Sequence, residues 1–190
     1  PIEMYKRESV PEGMVAIDGG NFIPALIGEG ITDYNLSTYF IDKYEVSNKK
    51  FKEFVDAKGY ELFQYWSDME FILDGVSLSW EEAKKLMVDS TGRSGPANWE
   101  LGSYKDGEAN LPVTGISWYE AQAYAKYKGN ILPPMYHWAK AAFPAAEIGA
   151  PISPVLVKKS NFSNKEINEI GRSGVGAHGT YDMAGNVSEW

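Results

Sequence analysis

The sequence closes with the stretch Tyr181-Asp182-Met183-Ala184-Gly185-Asn186-Val187-Ser188-Glu189-Trp190, which decides how the rest is interpreted. Two acids, Asp182 and Glu189, flank a turn signal at Gly185. Calcium takes about six to eight oxygen ligands and mixes carboxylates with main-chain carbonyls. A segment that curls between the two acids can supply such a mixture. The alternative is that Asp182 caps a turn and Glu189 is solvated.

Composition favours a single loop-rich domain. The chain has 190 residues, of which 44% are hydrophobic and 23% charged, which is typical of a globular protein. Six Trp, 12 Tyr and 8 Phe stand beside 19 Gly and 10 Pro. These numbers predict large rings packed between short elements and irregular chain.

Charge and cysteine content exclude several functions. The formal net charge of -8 argues against nucleic acid or an anionic membrane as partner, since phosphate binding needs clustered Lys and Arg. No signal peptide or apolar run of membrane-spanning length is visible, so we expect no membrane insertion by this segment and assign no compartment. The absence of Cys excludes disulfides, thiolate metal sites and a cysteine nucleophile within this chain.

The N-terminal part predicts short strands. Residues 1–12 are polar and are interpreted as a linker or arm. The apolar run 14–17 is a predicted strand that ends at a turn signal, 18–20, and residues 21–23 are interpreted as the return strand of a hairpin. A loop over 28–35 and an aromatic, β-branched strand over 39–46 follow.

Four helices are predicted from capping signals and apolar spacing. Ser47 or Asn48 starts the first, with Phe51, Phe54 and Val55 inward and an end at Gly59. Two later helices begin with capping boxes, Ser79 with Glu82 and Ser117 with Glu120. The expected inward residues are Ala83, Leu86 and Met87 in one, and Ala121, Tyr124 and Ala125, before a stop at Gly129, in the other. A fourth helix begins at Pro133 or Pro134 and carries Trp138, Ala141 and Ala142.

The remaining segments read as loops with one further strand. Residues 91–111 contain Gly, Pro and Asn throughout and predict a long ordered loop around Trp99 and Tyr104. A second loop is expected over 144–154, followed by a predicted strand over 155–157.

Four segments, in order, resemble one known family. They are Met14-Val15-Ala16-Ile17-Asp18-Gly19-Gly20-Asn21-Phe22, then Phe40-Ile41-Asp42-Lys43-Tyr44-Glu45-Val46-Ser47-Asn48, then Pro112-Val113-Thr114-Gly115-Ile116-Ser117-Trp118-Tyr119-Glu120-Ala121, and the closing stretch. Leu132-Pro133 with Trp138 matches part of a further motif. Together they resemble the formylglycine-generating enzyme family, also called sulfatase-modifying factors.

The resemblance implies a fold and a domain range. It implies an α+β, C-type-lectin-like domain of few short helices and strands over 13–190, which we expect to be C-terminally incomplete. The stretch 78–104 looks like a subfamily often attached to bacterial signalling or kinase-like chains. The family's Arg-Leu-Pro-Thr-Glu motif is replaced here by Ile131-Leu132-Pro133-Pro134-Met135, which loses a basic group and an acid.

The resemblance also implies metals. Family members bind calcium through side chains at the positions of Asp182 and Glu189 and carbonyls at those of Gly185 and Val187. A second calcium site would begin at Asn161-Phe162, but the loop between Asn164 and Gly171 looks shortened, and we do not transfer it. Family enzymes hold copper(I) with two cysteines near the C-terminus, so we expect copper only if such cysteines exist in a longer chain.

Other patterns favour ordinary packing over catalysis. Gly174-Val175-Gly176-Ala177-His178-Gly179 spells a dinucleotide fingerprint but opens no amphipathic helix. The two histidines, His137 and His178, lack a third ligand nearby in sequence, and we expect His137 to be packed and hydrogen-bonded. Tryptophans that could line a ligand groove are more simply explained as core.

Three functions remain open from the sequence. The favoured one is a non-catalytic module that binds a peptide, a glycan or a protein domain, with no catalytic residues assigned. The alternative is the N-terminal portion of a copper-dependent oxidase that converts a substrate cysteine to formylglycine. A third is a fragment that does not act or fold alone, because a lectin-like sheet closes with C-terminal strands.

Overall fold

The computed structural model of the protein describes residues 9–22, 34–142, 160–162, 166–176 and 178–190. The chain divides into two compact units. The first unit comprises Pro1–Glu45 and Pro133–Asn186, and the second comprises Val46–Leu132 and Val187–Trp190.

The described elements are short strands and short helices, with one single-turn 3-10 helix at Phe63–Tyr65. The strands are β1 (Met14–Ile17), β2 (Gly20–Phe22), β3 (Tyr34–Leu36), β4 (Tyr39–Asp42), β5 (Phe71–Leu73) and β6 (Val76–Leu78). The helices are α1 (Asn48–Asp56), α2 (Trp80–Lys84), α3 (Trp118–Tyr127) and α4 (Met135–Ala142). Within the described part, no helix is long and apolar enough to cross a membrane.

The first unit contains an antiparallel ribbon, and the predicted early hairpin is wrong. Strand β1 is confirmed, but it pairs with β4, with Met14 opposite Asp42 and Ile17 opposite Tyr39. Strand β2 is not its return strand, because β2 pairs with β3 instead. The chain therefore continues forward through residues 18–20 from β1 into β2 without reversing its direction.

Close approach of two segments of the chain explains why residue 19 is a glycine. A Cβ on Gly19 would lie 2.6 Å from the Leu36 carbonyl oxygen and 2.8 Å from the Thr38 amide nitrogen. The Gly19 amide donates to the Thr38 hydroxyl at 3.1 Å. Glycine is therefore required at residue 19 because the main chain of residues 36–38 lies against it. The local sequence pattern of such a close contact is the same as that of a hairpin turn.

Helix α4 packs in the first unit with the ribbon's apolar residues. The fourth helix is confirmed, although it begins at Met135 and not at Pro133 or Pro134, with Ala141 and Ala142 buried and Trp138 partly buried. Ile17 and Met183 complete the buried cluster. The predicted strand over 39–46 is shorter than expected and ends at Asp42.

The second unit is held by a core of aromatic rings. Phe51 and Phe54, both on α1, have no exposed surface, nor has Trp66, and Trp99 is also buried. Phe51 meets Trp99 edge to face at 6.2 Å and stacks on Tyr124 of α3 at 5.3 Å between ring centroids. The expectation that large rings would pack between short elements is confirmed here. So is the loop predicted over 91–111, which is irregular and centres on the buried Trp99.

Both predicted capping boxes form. The Ser79 hydroxyl accepts from the Glu82 amide at 3.4 Å while the Glu82 carboxylate accepts from the Ser79 amide at 2.8 Å. The same reciprocal pair links Ser117 and Glu120. Helix α3 buries Ala121, Tyr124 and Ala125 and is followed by Gly129 at φ 74°, as predicted.

Helix α2 is the exception in its burial pattern. Ala83 and Met87 point inward as expected, but Leu86 is 59% exposed, so that part of the prediction is wrong. The helix ends at Lys84 after five residues, and helical spacing no longer governs which side Leu86 faces.

The end of α1 shows a second crowded glycine. Ser47 is its N-cap, accepting from the Lys50 amide, and Asn48 is the first helical residue. The left-handed residue after the helix is Lys58, at φ 60°, and not Gly59. A Cβ on Gly59 would lie 2.0 Å from the Phe54 ring, so glycine is required there by contact with the core.

One buried acid organises the loop after α2. Burial would raise the pKa of Asp89, but hydrogen bonds from Thr91, Gly102 and Arg93 outweigh it and lower that pKa to about 2. The donors are main-chain amides on both sides of the buried Trp99. The carboxylate therefore accepts hydrogen bonds that strand pairing would otherwise provide. Several other predicted segments lie outside the described residues: Ile23, residues 28–33, the loop over 144–154 and the strand over 155–157. Tyr34 and Asn35, the predicted end of the loop over 28–35, belong to β3 instead.

The two capping boxes differ in burial, and this generates a matched prediction. Glu120 is buried and also accepts from the Tyr60 hydroxyl at 2.6 Å, whereas Glu82 is exposed. Burial raises the pKa of Glu120, and bonds from Ser117 and Tyr60 oppose that shift. Glu120→Ala should lower the free energy of unfolding by about 3 kcal/mol, because it leaves the buried Tyr60 hydroxyl unpaired. Glu82→Ala should cost distinctly less in the same urea titration. Equal losses would show that the buried bond adds nothing to the box.

Candidate functional site

The closing signature folds into a tight, irregular turn. Asp182, Gly185 and Asn186 all have positive φ, at 58°, 91° and 63°. Non-glycine residues seldom adopt this conformation, and Asp and Asn tolerate it best. The signature therefore supplies, at three positions, residue types that the backbone of the turn requires.

Asp182 is a structural acceptor within the first unit. It is 2% exposed, and its two carboxylate oxygens each accept one hydrogen bond. Oδ2 accepts from the Gly171 amide at 2.8 Å and Oδ1 from the Ser173 hydroxyl at 2.8 Å. The Asp182 amide donates to the Gly174 carbonyl at 3.3 Å. The side chain thus ties the signature to the preceding loop, and each oxygen retains a lone pair.

Asn186 joins three separate segments of the first unit through one amide group. Its Oδ1 accepts from the Asn168 amide at 2.9 Å and from Asn161 Nδ2 at 3.1 Å. Its Nδ2 donates to Glu45 Oε2 at 2.9 Å and to the Asn168 carbonyl at 3.2 Å. All four hydrogen-bonding positions of the side chain are used.

The glycine before Asn186 is fixed by its neighbour as well as by its φ. A Cβ on Gly185 would lie 2.9 Å from the Asn161 carbonyl oxygen, which already accepts from the Asn186 amide at 3.0 Å. A side chain at this position would force apart the two strands of irregular chain. Gly185 and Asn186 therefore act together to hold the segment around Asn161.

The four predicted calcium ligands fall in different units. Asp182 and Gly185 belong to the first unit, while Val187 and Glu189 belong to the second, where Glu189 is exposed. Among the described residues, no group of three or more His, Cys, Asp or Glu side chains could hold a metal ion. The predicted site uses two carboxylates and two carbonyls and is not a group of that kind, so it stays a prediction.

One side-chain oxygen near Asn186 has no hydrogen bond. Asn161 Oδ1 is buried, and no described residue donates to it, although Asn161 Nδ2 donates to the Glu166 carbonyl and to Asn186. The neighbouring Ser160 hydroxyl is buried and likewise lacks a partner in the described part of the chain. An oxygen in that state is an available acceptor for water or a cation.

The histidines and the glycine-rich stretch have structural surroundings. The His137 ring packs edge-on against Tyr39 at 4.6 Å, and Tyr39 donates to its carbonyl. The packing is as predicted, but the hydrogen bond is to the His137 main chain, and the buried Nδ1 of the ring has no partner among the described residues.

The second histidine, His178, has its pKa lowered by burial. The nearby charge of Asp18 acts in the opposite direction, and that of Lys140 lowers the pKa further. In the glycine-rich stretch, the Gly176 amide donates to the Thr180 carbonyl at 2.7 Å and the Gly179 amide donates to the Gly176 carbonyl at 3.1 Å.

Sequence reasoning found Asp182 and missed Asn186. The missed residue carries the larger number of links, and the available signal was its position directly after a glycine, where Asn tolerates a left-handed backbone. That signal indicates a turn but not its partners. Asn161, Asn168 and Glu45 lie 25, 18 and 141 residues away, beyond the reach of local pattern.

A family model described as the sulfatase-modifying factor enzyme 1-like domain matches residues 2–190. The chain belongs to this family. The observed mixture of short helices and strands is consistent with that domain.

Curated relatives carry several kinds of name. The chain is 27% identical to a serine/threonine-protein kinase pkn1 of Chlamydia caviae, covering 100% of this chain and 29% of that protein. A formylglycine-generating enzyme of Thermomonospora curvata is 28% identical, with 96% and 72% covered. An inactive C-alpha-formylglycine-generating enzyme 2 of Bos taurus is 26% identical, with 93% and 69% covered. The chain thus spans less than a third of the chlamydial relatives it matches.

The bonding of Asn186 yields a quantitative prediction. Asn186→Ala should lower the free energy of unfolding by about 3 kcal/mol, because it removes the links to three segments and keeps a side chain in the left-handed conformation. Asn186→Gly should recover about 1 kcal/mol of that loss by relieving the backbone alone. Both are measured by urea unfolding. A neutral Asn186→Ala would contradict the linking role.

Proposed function

We propose that this chain is a non-catalytic binding module whose partner is a peptide, a glycan or a protein domain. The observation that carries the proposal is how the signature's side chains are used. Asp182 and Asn186 direct their polar groups to the chain's own loops. In this proposal the signature stabilises the fold, and the partner is bound by other surfaces of the domain.

A C-type-lectin-like arrangement is the fold we propose. Its support is the set of three-residue and four-residue strands, the short helices and the long irregular segments held by side-chain hydrogen bonds. Such frameworks tolerate surface change because loops carry little of the core.

The copper-dependent oxidase is the alternative, and the residues of this chain do not fit its metal. Copper(I) favours soft thiolate and thioether ligands, and the chain contains no cysteine among its 190 residues. What favours the alternative is the match that covers 72% of the Thermomonospora curvata enzyme.

The names of other relatives support a binding role. The bovine relative is named as inactive, so this family includes members with that designation at comparable identity. In the chlamydial kinases the matching segment is 29% of the protein or slightly more, which is consistent with an attached module. We therefore propose that this chain recognises a partner in a signalling context.

Calcium remains part of the proposal as a structural ion. The donor set of Asp182, Gly185, Val187 and Glu189 contains oxygen ligands only, which suits a hard divalent cation. The retained lone pairs on both Asp182 oxygens support this assignment. The ion would stabilise the turn that the signature forms; the proposal gives it no role in a reaction.

An oxidase assay tests the non-catalytic role. We expect the purified chain, loaded with copper(I) under oxygen, to leave a cysteine-containing peptide unchanged in mass. The formylglycine-generating enzyme of Thermomonospora curvata is the positive control. Conversion of the peptide thiol to an aldehyde by this chain would overturn the proposal and establish the alternative.

Thermal unfolding tests the calcium assignment. Calcium at about a hundredfold excess over its Kd should add about 2.7 kcal/mol to the free energy of unfolding, relative to EDTA. Glu189→Gln should abolish this increment, because it removes one of the two proposed carboxylate ligands. Asp182→Asn should destabilise the chain even in EDTA, because its bonds to Gly171 and Ser173 weaken. An increment unchanged in both variants would place any calcium elsewhere.

A further inference from the structure

The hairpin of β5 and β6 in the second unit has one closed edge and one open edge. Strand β5 pairs with β6 through a two-residue turn, with Leu73 opposite Val76 and Ile72 opposite Ser77. Asp74 and Gly75 form the turn with φ of 49° and 79°, the conformation that Asp-Gly hairpins adopt. The geometry of the turn fixes which main-chain groups point away from the partner strand.

Strand β5 has its outer edge covered by a side chain. The Ile72 amide donates to the Tyr119 hydroxyl at 2.9 Å, so Ile72 directs its main-chain groups away from β6. Residues opposite each other in an antiparallel pair share this orientation. Ser77 therefore directs its amide and carbonyl outward on the β6 side. Ser77 is exposed, and in the described part of the chain β6 pairs with β5 alone.

An apolar strip extends along the hairpin next to that open edge. Phe71 is buried and its ring meets Trp80 at 5.7 Å. Leu73 and Val76 lie on the same face of the pleat, but past the limit of the core, and are 50% and 61% exposed. An extended chain added beside β6 would cover Val76 and continue the sheet.

Acidic side chains predominate along the hairpin and its flanks, and Lys84 and Lys85 follow directly after them. Residues 67–83 contain five acids and no lysine or arginine. Asp68 is paired with Lys126, and the Glu82 carboxylate is used in its capping box. The other three, Glu70, Asp74 and Glu81, are exposed and form no ion pair within the described residues. A strand bearing positive charge would complement them, while a second copy of this chain would bring the same acids and repel.

We propose that the open edge of β6 binds an extended peptide segment that alternates apolar residues with Lys or Arg. Its main chain pairs with the Ser77 amide and carbonyl, its apolar side chains cover Val76, and its cations face Asp74 and the neighbouring acids. The inference rests on the proposed binding role and makes it specific, by naming the surface and the chemistry of the partner.

A labelled peptide and two variants of one residue test the main-chain contact. The probe is a fluorescein-labelled nine-residue peptide alternating Val and Lys, titrated with the purified chain and followed by fluorescence anisotropy. Ser77→Pro removes the outward amide without removing a bond from the hairpin, and should weaken binding about tenfold. Ser77→Ala keeps that amide and should bind like the parent. Unfolding midpoints verify that both variants are folded.

The charge contribution has its own matched pair. Asp74→Asn keeps a residue suited to the turn and removes one acid, and should weaken binding about threefold. Asp106→Asn alters the other Asp-Gly turn of the second unit, also exposed, and should change nothing. A peptide with Glu in place of Lys should not bind.

Several outcomes would overturn the inference. They are no binding of the Lys peptide by the parent chain, equal binding by Ser77→Pro, or equal binding of the Glu peptide. Concentration-dependent self-association in sedimentation, abolished by Ser77→Pro, would assign the edge to a second copy. None of these results bears on the oxidase assay, so loss of this surface and loss of the non-catalytic role remain distinguishable.

Discussion

The interaction on which the first unit depends is the fully used amide of Asn186. The described residues between 160 and 190 lie outside helices and strands, so their main-chain groups cannot be satisfied by a ladder. Some of these groups have main-chain partners, as the Asn186 amide does in the Asn161 carbonyl, and others have side-chain partners: Asn186 Oδ1 accepts from the Asn168 amide and Asp182 Oδ2 from the Gly171 amide. Because buried polar groups are costly when unpaired, this small set of bonds decides whether the irregular chain has one conformation.

How much could be predicted from sequence depended on the range of the interaction. Both capping boxes form as predicted, since Ser117 and Glu120 are three residues apart and complete their bonds within one turn. The early hairpin failed because the partner of β1 is β4, and adjacency along the chain is not adjacency in the ribbon. Leu86 failed because α2 ended before the helical period could place it.

The candidate site shows the same division. Sequence singled out Asp182 as an acid at a turn, and in the structure its carboxylate accepts hydrogen bonds from Gly171 and Ser173. The partners could not be predicted, because Gly171 and Ser173 reach the carboxylate only through the path of the loop. The family of the chain is established. The side chains that could carry a function are those not already hydrogen-bonded within the fold.

The use of side-chain acceptors by Asn168 and Gly171 has a dynamic consequence. In a sheet, amide protons are protected by many neighbouring bonds that break one after another from the ends. Here two amides, one on either side of residue 170, are protected by single side chains of the same turn. Their hydrogen exchange is therefore governed by one shared opening event, in which the signature turn detaches and releases both amides to solvent together.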